Sequence, residues 1–322
     1  MKAIETTSLA RRFGEVTAVE SLDLAVERGE VYGFLGPNGA GKSTTINMLL
    51  GFTPPSAGSG TILGHDVVEE SLAVRQAIGV LPEDFGMYNR LTARQHVQFA
   101  IDVKGADDTP GELLERVGLA EAADRTAGGF STGMKQRTAL AMALVGDPEL
   151  LILDEPSSGL DPNGAREMRT IIREENDRGT TVFFSSHIME QVEAICDRVG
   201  IMRDGRLVAE DTIDALKDQF DADSRLVLTV DRVDDAIVPT LEARPGVSGV
   251  FVDGTDVTVV LSDTRRKAPV INAVEETGVV ITDITSEEPS LEDLFAAFTS
   301  DERSTTADRP TGESRATEEL NA

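Results

Sequence analysis

The chain has 322 residues, 40% of them apolar and 27% charged, which fits a globular protein with one large domain and room for a second small one. Its formal net charge is −27 with a pI near 4.4, a surface that repels nucleic acid and anionic lipid, so neither is expected as a direct partner. No run reaches the roughly 18 apolar residues of a membrane-spanning helix, and Met1–Glu5 shows no charged-then-apolar signal segment. The single cysteine, Cys196, rules out an internal disulfide, suits a reducing cytoplasm and reads as a small buried hydrophobe. Only six lysines occur, so the acidic, lysine-poor composition predicts a halophilic source.

In chain order, Leu22, Leu24 and Val26 alternate with polar neighbours, as a half-buried strand does, before the turn pair Arg28-Gly29. Val31–Leu35 reads as a buried strand. It runs into Gly36-Pro37-Asn38-Gly39-Ala40-Gly41-Lys42-Ser43-Thr44, followed by a short helix closed at Gly51. That is the phosphate-binding loop pattern in the strand-to-helix context it needs. Its backbone N–H groups and the helix N-terminus favour an anion, Lys42 would reach the terminal phosphates, and Ser43 would ligate Mg²⁺.

Thr53–Gly60 reads as a breaker segment, and Thr61–Gly64 and Ile78–Pro82 as short strands. From Thr92 to Gly146 the periodicity is helical, in pieces built on Val97, Phe99 and Ile101, then on Leu113 to Leu119, then on Ala139 to Leu144. Leu150–Leu153 is a continuous apolar run ending in Asp154 and Glu155, the pattern of a central parallel strand with its polar end at the active edge. Asp154 can hold Mg²⁺ opposite Ser43, and Glu155 can orient or deprotonate a water. Residues 164–177 read as a helix leading to a second buried strand, Thr181–Phe184, which ends in Ser185-Ser186-His187, a right-handed parallel crossover.

After residue 218 short β-type runs alternate with helical stretches at 234–244 and 268–277, suggesting a compact α+β module that ends in a helix over 291–298. Residues 301–322 are almost devoid of apolar side chains and read as a solvated acidic tail. The expected division is 1–218, 224–300 and 301–322.

Between the phosphate loop and the Asp-Glu strand lies Phe130-Ser131-Thr132-Gly133-Met134-Lys135-Gln136-Arg137. Together with Ser158-Gly159-Leu160-Asp161 and Ser186-His187, this order of motifs resembles the ATP-binding subunits of ABC transporters over residues 2–218. The resemblance implies an α/β P-loop NTPase fold with a parallel central sheet, an N-terminal antiparallel β subdomain, a helical subdomain and a small C-terminal α+β domain. It implies an ATPase that uses ATP and Mg²⁺. It also implies a homodimer or paralogue dimer sharing two ATP sites, attached to a membrane permease on the inner face of the cell membrane.

Residue by residue, the resemblance assigns Phe13 to adenine stacking and 36–44 to the phosphates. Glu155 becomes the general base and His187 the γ-phosphate contact, while Ser131 and Gly133 serve the partner protomer's ATP and Asp161 lies where the partner is met. Two positions depart from the family pattern: Thr132 stands where glycine is usual, and Glu83 where glutamine usually ligates the metal or its water. A carboxylate there can still ligate Mg²⁺. The signature and Glu288–Phe295 resemble the daunorubicin-resistance group of drug exporters, which points to an exporter of drugs or other hydrophobic compounds. The alternative is an ABC ATPase without a permease, acting in translation, repair or regulation; those usually carry two motif sets or a coiled-coil insertion, and neither is present here.

Overall fold

The computed structural model describes residues 1–83, 85–219, 224–234, 236–261 and 266–287. The expected helix at 291–298, the Glu288–Phe295 motif and the 301–322 tail lie outside the described residues.

The chain opens with β1 (Lys2–Phe13) and β2 (Val16–Glu27), a long antiparallel hairpin turned at Gly14, whose φ is 59°. β3 (Val31–Leu35) is wholly buried and leads through the glycine loop into α1 (Lys42–Leu49). β4 (Ala57–Ile62) and β5 (His65–Asp66) return to the first sheet, whose order is β2-β1-β4-β5. The breaker segment therefore extends only to Ser56, because residues 57–60 pair with β1 despite their two glycines. α2 (Ser71–Ala77) leads to β6 (Ile78–Leu81).

The helical stretch holds α3 (Ala93–Lys104), α4 (Pro110–Arg116) and α5 (Thr132–Ala143). α3 starts at a reciprocal cap between Thr92 and Gln95 and stops at Gly105 with φ 67°. Val97 and Ile101, four apart, are buried, whereas Phe99 is 59% exposed. The sequence grouped all three; a helical step of two residues turns about 200°, so Phe99 faces outward.

β7 (Leu150–Asp154), α6 (Pro162–Asp177) and β8 (Thr181–Ser186) follow. α6 starts two residues earlier than expected, since Asp161 accepts the Gly164 N–H at 2.8 Å and Pro162 fits the first turn. α7 (Met189–Ile195), β9 (Arg198–Arg203), β10 (Arg206–Thr212) and α8 (Ile213–Gln219) complete this part. The central sheet runs β10-β9-β3-β8-β7-β6, parallel from β9 to β6 and antiparallel only between β10 and β9. Its core includes the stacked rings of Tyr32 and Phe183, with centroids 5.9 Å apart. Cys196 is buried as expected, and that burial pushes its thiol pKa up. The parallel strands β3, β8, β7 and β6 all carry their C-terminal ends to one edge, the edge where ligands bind in such sheets.

A third sheet is built from β11 (Ser224–Val230), β12 (Val247–Asp253), β13 (Asp256–Leu261) and β14 (Ile281–Glu287), in the order β12-β13-β11-β14 and wholly antiparallel. α9 (Ile237–Glu242) and α10 (Lys267–Glu276) intervene, giving the β-α-β-β-α-β pattern of ferredoxin-like units. Its buried apolar residues, from Leu226 to Val279, form their own cluster.

Candidate active site

The glycine loop crosses from the end of β3 to α1 with Gly39 at φ 84° and Gly41 at φ 108°, conformations that L side chains rarely adopt. Packing also demands glycine here. A Cβ on Gly36 would stand 2.5 Å from Met202 O, and one on Gly41 2.5 Å from Ala18 O. Lys42 is 6% exposed, and its Nζ donates to Gly36 O at 2.8 Å. Ala40 turns its methyl into the core and is 3% exposed.

Above this loop lies a cavity of about 320 Å³, lined by Pro37, Asn38, Gly39, Gly41, Lys42, Ser43 and Thr44, and closed by Ala18, Glu83 and Glu155. Glu83 enters from the end of β6 and Glu155 from the end of β7, so residues 72 positions apart in sequence face one space.

Asp154 is 7% exposed, and the Ser185 hydroxyl donates to its Oδ1. Burial holds its carboxyl above the usual range; the neighbouring Glu155 charge adds to this, while the Ser185 bond and Lys42 oppose it. Glu155 adopts φ 49°, a left-handed conformation that costs a non-glycine residue about 1 kcal/mol. That turn points its carboxylate back across the strand ends. Oε1 lies 2.9 Å from His187 Nδ1 and 3.6 Å from Lys42 Nζ, and Oε2 accepts from Ser186 Oγ at 3.5 Å. The Glu155 N–H is held by Ser185 O at 3.2 Å. His187 is half-exposed and so has room to turn outward.

Ser185 and Ser186 hydrogen-bond to the two acids, contacts that motif reading did not give them. The available signal was two hydroxyls at the end of a strand that is otherwise Phe183-Phe184; both are fully buried. Phe13 is 48% exposed at the far end of β1, with the Arg11 guanidinium 4.4 Å over its ring. Ala18, not the ring of Phe13, is the hairpin residue that borders the cavity.

Ser131 and Gly133 sit elsewhere on this surface. Ser131 caps α5, accepting the Met134 N–H at 3.3 Å, and is exposed. Leu160 and Gly159 lie against this loop: a Cβ on Gly133 would meet Leu160 Cδ2 at 3.8 Å, and one on Gly159 would meet Thr132 Cγ2 at 3.7 Å. The signature loop and the Ser158–Asp161 loop therefore form one surface, and neither borders the cavity of its own chain.

The family model described as ABC transporter matches residues 19–158. Across nearly the whole length, the chain is 33% identical over 304 residues to the linearmycin resistance ATP-binding protein of Bacillus subtilis, covering 92% of this chain and 98% of that one. The chain belongs to the ABC transporter ATP-binding proteins. It is also 38% identical to the bacitracin transport ATP-binding protein of Bacillus licheniformis, over 91% of this chain and 95% of that one. With the daunorubicin resistance ATP-binding protein of Streptomyces coeruleorubidus it shares 35% identity over 94% and 97%. A solved ATP-binding subunit of an ABC transporter superposes with a TM-score of 0.62 at 30% identity, covering 68% of this chain and 93% of that one. As an ABC ATPase, the protein binds ATP and hydrolyses it.

The donor set also suits a divalent cation. Glu83 and Glu155 line the cavity with one lysine, Lys42, and Asp154 stands beside Glu155, so an added triphosphate calls for further positive charge. Among the described residues no group of three or more His, Cys, Asp or Glu could hold a metal unaided. Mg²⁺ in nucleotide sites is commonly held by one or two carboxylates, with waters and substrate phosphates completing its shell.

Proposed function

We propose that this protein is the ATP-hydrolysing subunit of an exporter, working as a head-to-tail dimer beneath a separately encoded membrane permease. The observation that carries the dimer is the separation just described: Ser131 and Gly133 lie with Leu160 on a surface away from the cavity of their own chain. A helix N-terminus with a hydroxyl and open N–H groups suits a phosphate, and a second copy can bring one.

In this reading Gly36–Thr44 cradle the phosphates and Lys42 leaves its carbonyl partner for the terminal ones. Ser43, Asp154 and Glu83 hold Mg²⁺, which supplies charge neutralisation on the phosphate oxygens when bound. Phe13 stacks on adenine. Glu155, already aimed by its left-handed backbone and by His187, takes the proton of the attacking water, and His187 turns toward the terminal phosphate. Asp161 meets the partner.

No helix among the described residues is long and apolar enough to cross a membrane, which agrees with a cytoplasmic subunit held peripherally by its permease. The names of the relatives, resistance to linearmycin and daunorubicin and transport of bacitracin, support export of hydrophobic compounds. The separate core of the third sheet supports dividing the chain into an ATP-binding domain at 1–218 and an accessory domain at 224–300.

Mixing two inactive chains tests the shared site. Lys42→Ala removes one half of each site and Gly133→Asp the other. A mixed dimer rebuilds one complete site, so ATPase activity returns on mixing. Two variants that stay inactive together, while each still forms dimers, would refute the arrangement.

A further inference from the structure

The loop that joins β6 to α3 carries Glu83 at one end, and its middle is fixed by a side chain with no part in the motifs. His96, on the first turn of α3, is 3% exposed, and both of its ring nitrogens meet backbone. Nε2 lies 3.0 Å from the Tyr88 N–H, and Nδ1 lies 2.8 Å from Thr92 O. An N–H can only donate and a carbonyl can only accept, so Nε2 is bare and the ring proton is on Nδ1. The Tyr88 ring stacks on the imidazole, with centroids 6.3 Å apart.

The same loop is tied on its far side. Asn89 O and Leu91 O accept the Gly128 and Ala127 N–H groups, each at 2.9 Å, three residues or so before the signature serine. Beside it opens an apolar groove of about 460 Å³ lined by Phe85, Tyr88, Leu91, His96, Phe99 and Met142. One short loop thus borders the nucleotide cavity at Glu83, the groove at Tyr88, and the approach to Ser131 at Leu91. His96 is the side chain that holds its middle.

We propose that His96 is a positioning residue for the nucleotide site, whose unprotonated Nε2 fixes the Tyr88 amide and so sets where Glu83 stands. The proposal rests on the reading of Glu83 as a Mg²⁺ partner. A side chain that orients a metal ligand from outside its shell typically changes metal affinity about 10–100-fold when lost.

The test is ATPase activity of the full chain against free Mg²⁺ at saturating ATP, in His96→Leu, His96→Asn, His96→Gln and Glu83→Ala, with amide exchange followed at Tyr88. The glutamine carbonyl can reach where Nε2 stood; the asparagine amide is one methylene too short. His96→Leu and His96→Asn are expected to raise the half-saturating Mg²⁺ by about tenfold and to speed Tyr88 exchange, with kcat at saturating Mg²⁺ within about twofold. His96→Gln should restore both. His96→Asn carries the test alone if the leucine variant does not fold.

A fall in kcat without a change in half-saturating Mg²⁺ would mark a purely structural histidine and overturn the proposal. If Glu83→Ala shifts the Mg²⁺ dependence and the His96 variants do not, the inference falls and Glu83 keeps its role. If none shifts, the role of Glu83 falls, and the inference with it.

Discussion

Glu155 Oε1 and His187 Nδ1 are 2.9 Å apart across the ends of two adjacent parallel strands, though 32 residues separate them in sequence. Glu155 has a left-handed backbone, φ 49°, and so leaves the strand geometry in which side chains stand alternately on the two faces of the sheet. The two side chains are thus paired across the strand ends, with Glu155 buried and His187 half-exposed.

Glu155→Gln keeps the shape and removes the proton acceptor. Hydrolysis is expected to fall by about 10²–10⁴-fold, while ATP-bound chains accumulate as dimers. Light scattering with and without ATP, beside a phosphate-release assay, checks this; a monomeric variant that keeps full activity would refute it.

Asp154 gives a pH prediction. Its carboxyl is held above its ordinary pKa mainly by burial, so its contribution to stability is present at pH below the unfolded carboxylate range and lost as pH rises through the folded value. At neutral pH the nucleotide-free protein therefore carries a destabilising charge at this position. Asp154→Asn, which can still accept from Ser185, is expected to melt higher than the parent at pH 7, with the gap closing toward pH 3. It should also lose Mg²⁺-dependent hydrolysis. A lower melting temperature at pH 7 contradicts the account.

Gly79 in β6 lies against α5, where a Cβ would come 2.1 Å from Ala143 O and 2.6 Å from Leu151 Cδ2. Backbone cannot swing aside as a flexible side chain can. Gly79→Ala is expected to cost about 1–3 kcal/mol in urea unfolding. No change in midpoint would mean that β6 and α5 can separate freely.

The net charge of −27 sets a salt prediction. Charges on the surface repel over about 10 Å at 0.1 M salt and about 3 Å at 1 M. Thermal stability is expected to rise steadily with KCl into the molar range, as the halophilic reading requires. Stability and ATPase activity that ignore salt would remove that reading.

Motif spacing singled out the loop at 36–44, the acids at 154–155 and His187 because each depends on neighbours in sequence: a strand, a tight turn, a helix start. The same locality let periodicity find β3, β7 and β8, whose unbroken apolar runs reflect burial on both faces. It misread Thr53–Gly60, where glycines form strand only because β1 offers its edge, and gave Ser185 and Ser186 no partner. Phe13, assigned by resemblance, lies half-exposed with Arg11 over its ring, and Ala18 is the hairpin residue that lines the cavity.

The sequence by itself determined the family and its reaction, through a phosphate-loop pattern, an Asp-Glu pair closing an apolar strand and a serine-glycine segment, each written in a few adjacent residues. Only the tertiary structure decided how they meet. Met202 O and Ala18 O close over Gly36 and Gly41, Ser185 supports Asp154, and His96 reaches back to Tyr88. The physical reason is that hydrogen bonds and packing act over a few ångströms of space, and sheet order, not chain order, sets which residues come that close. The same sheet order leaves Ser131 and Gly133 away from the cavity of their own chain, against Leu160.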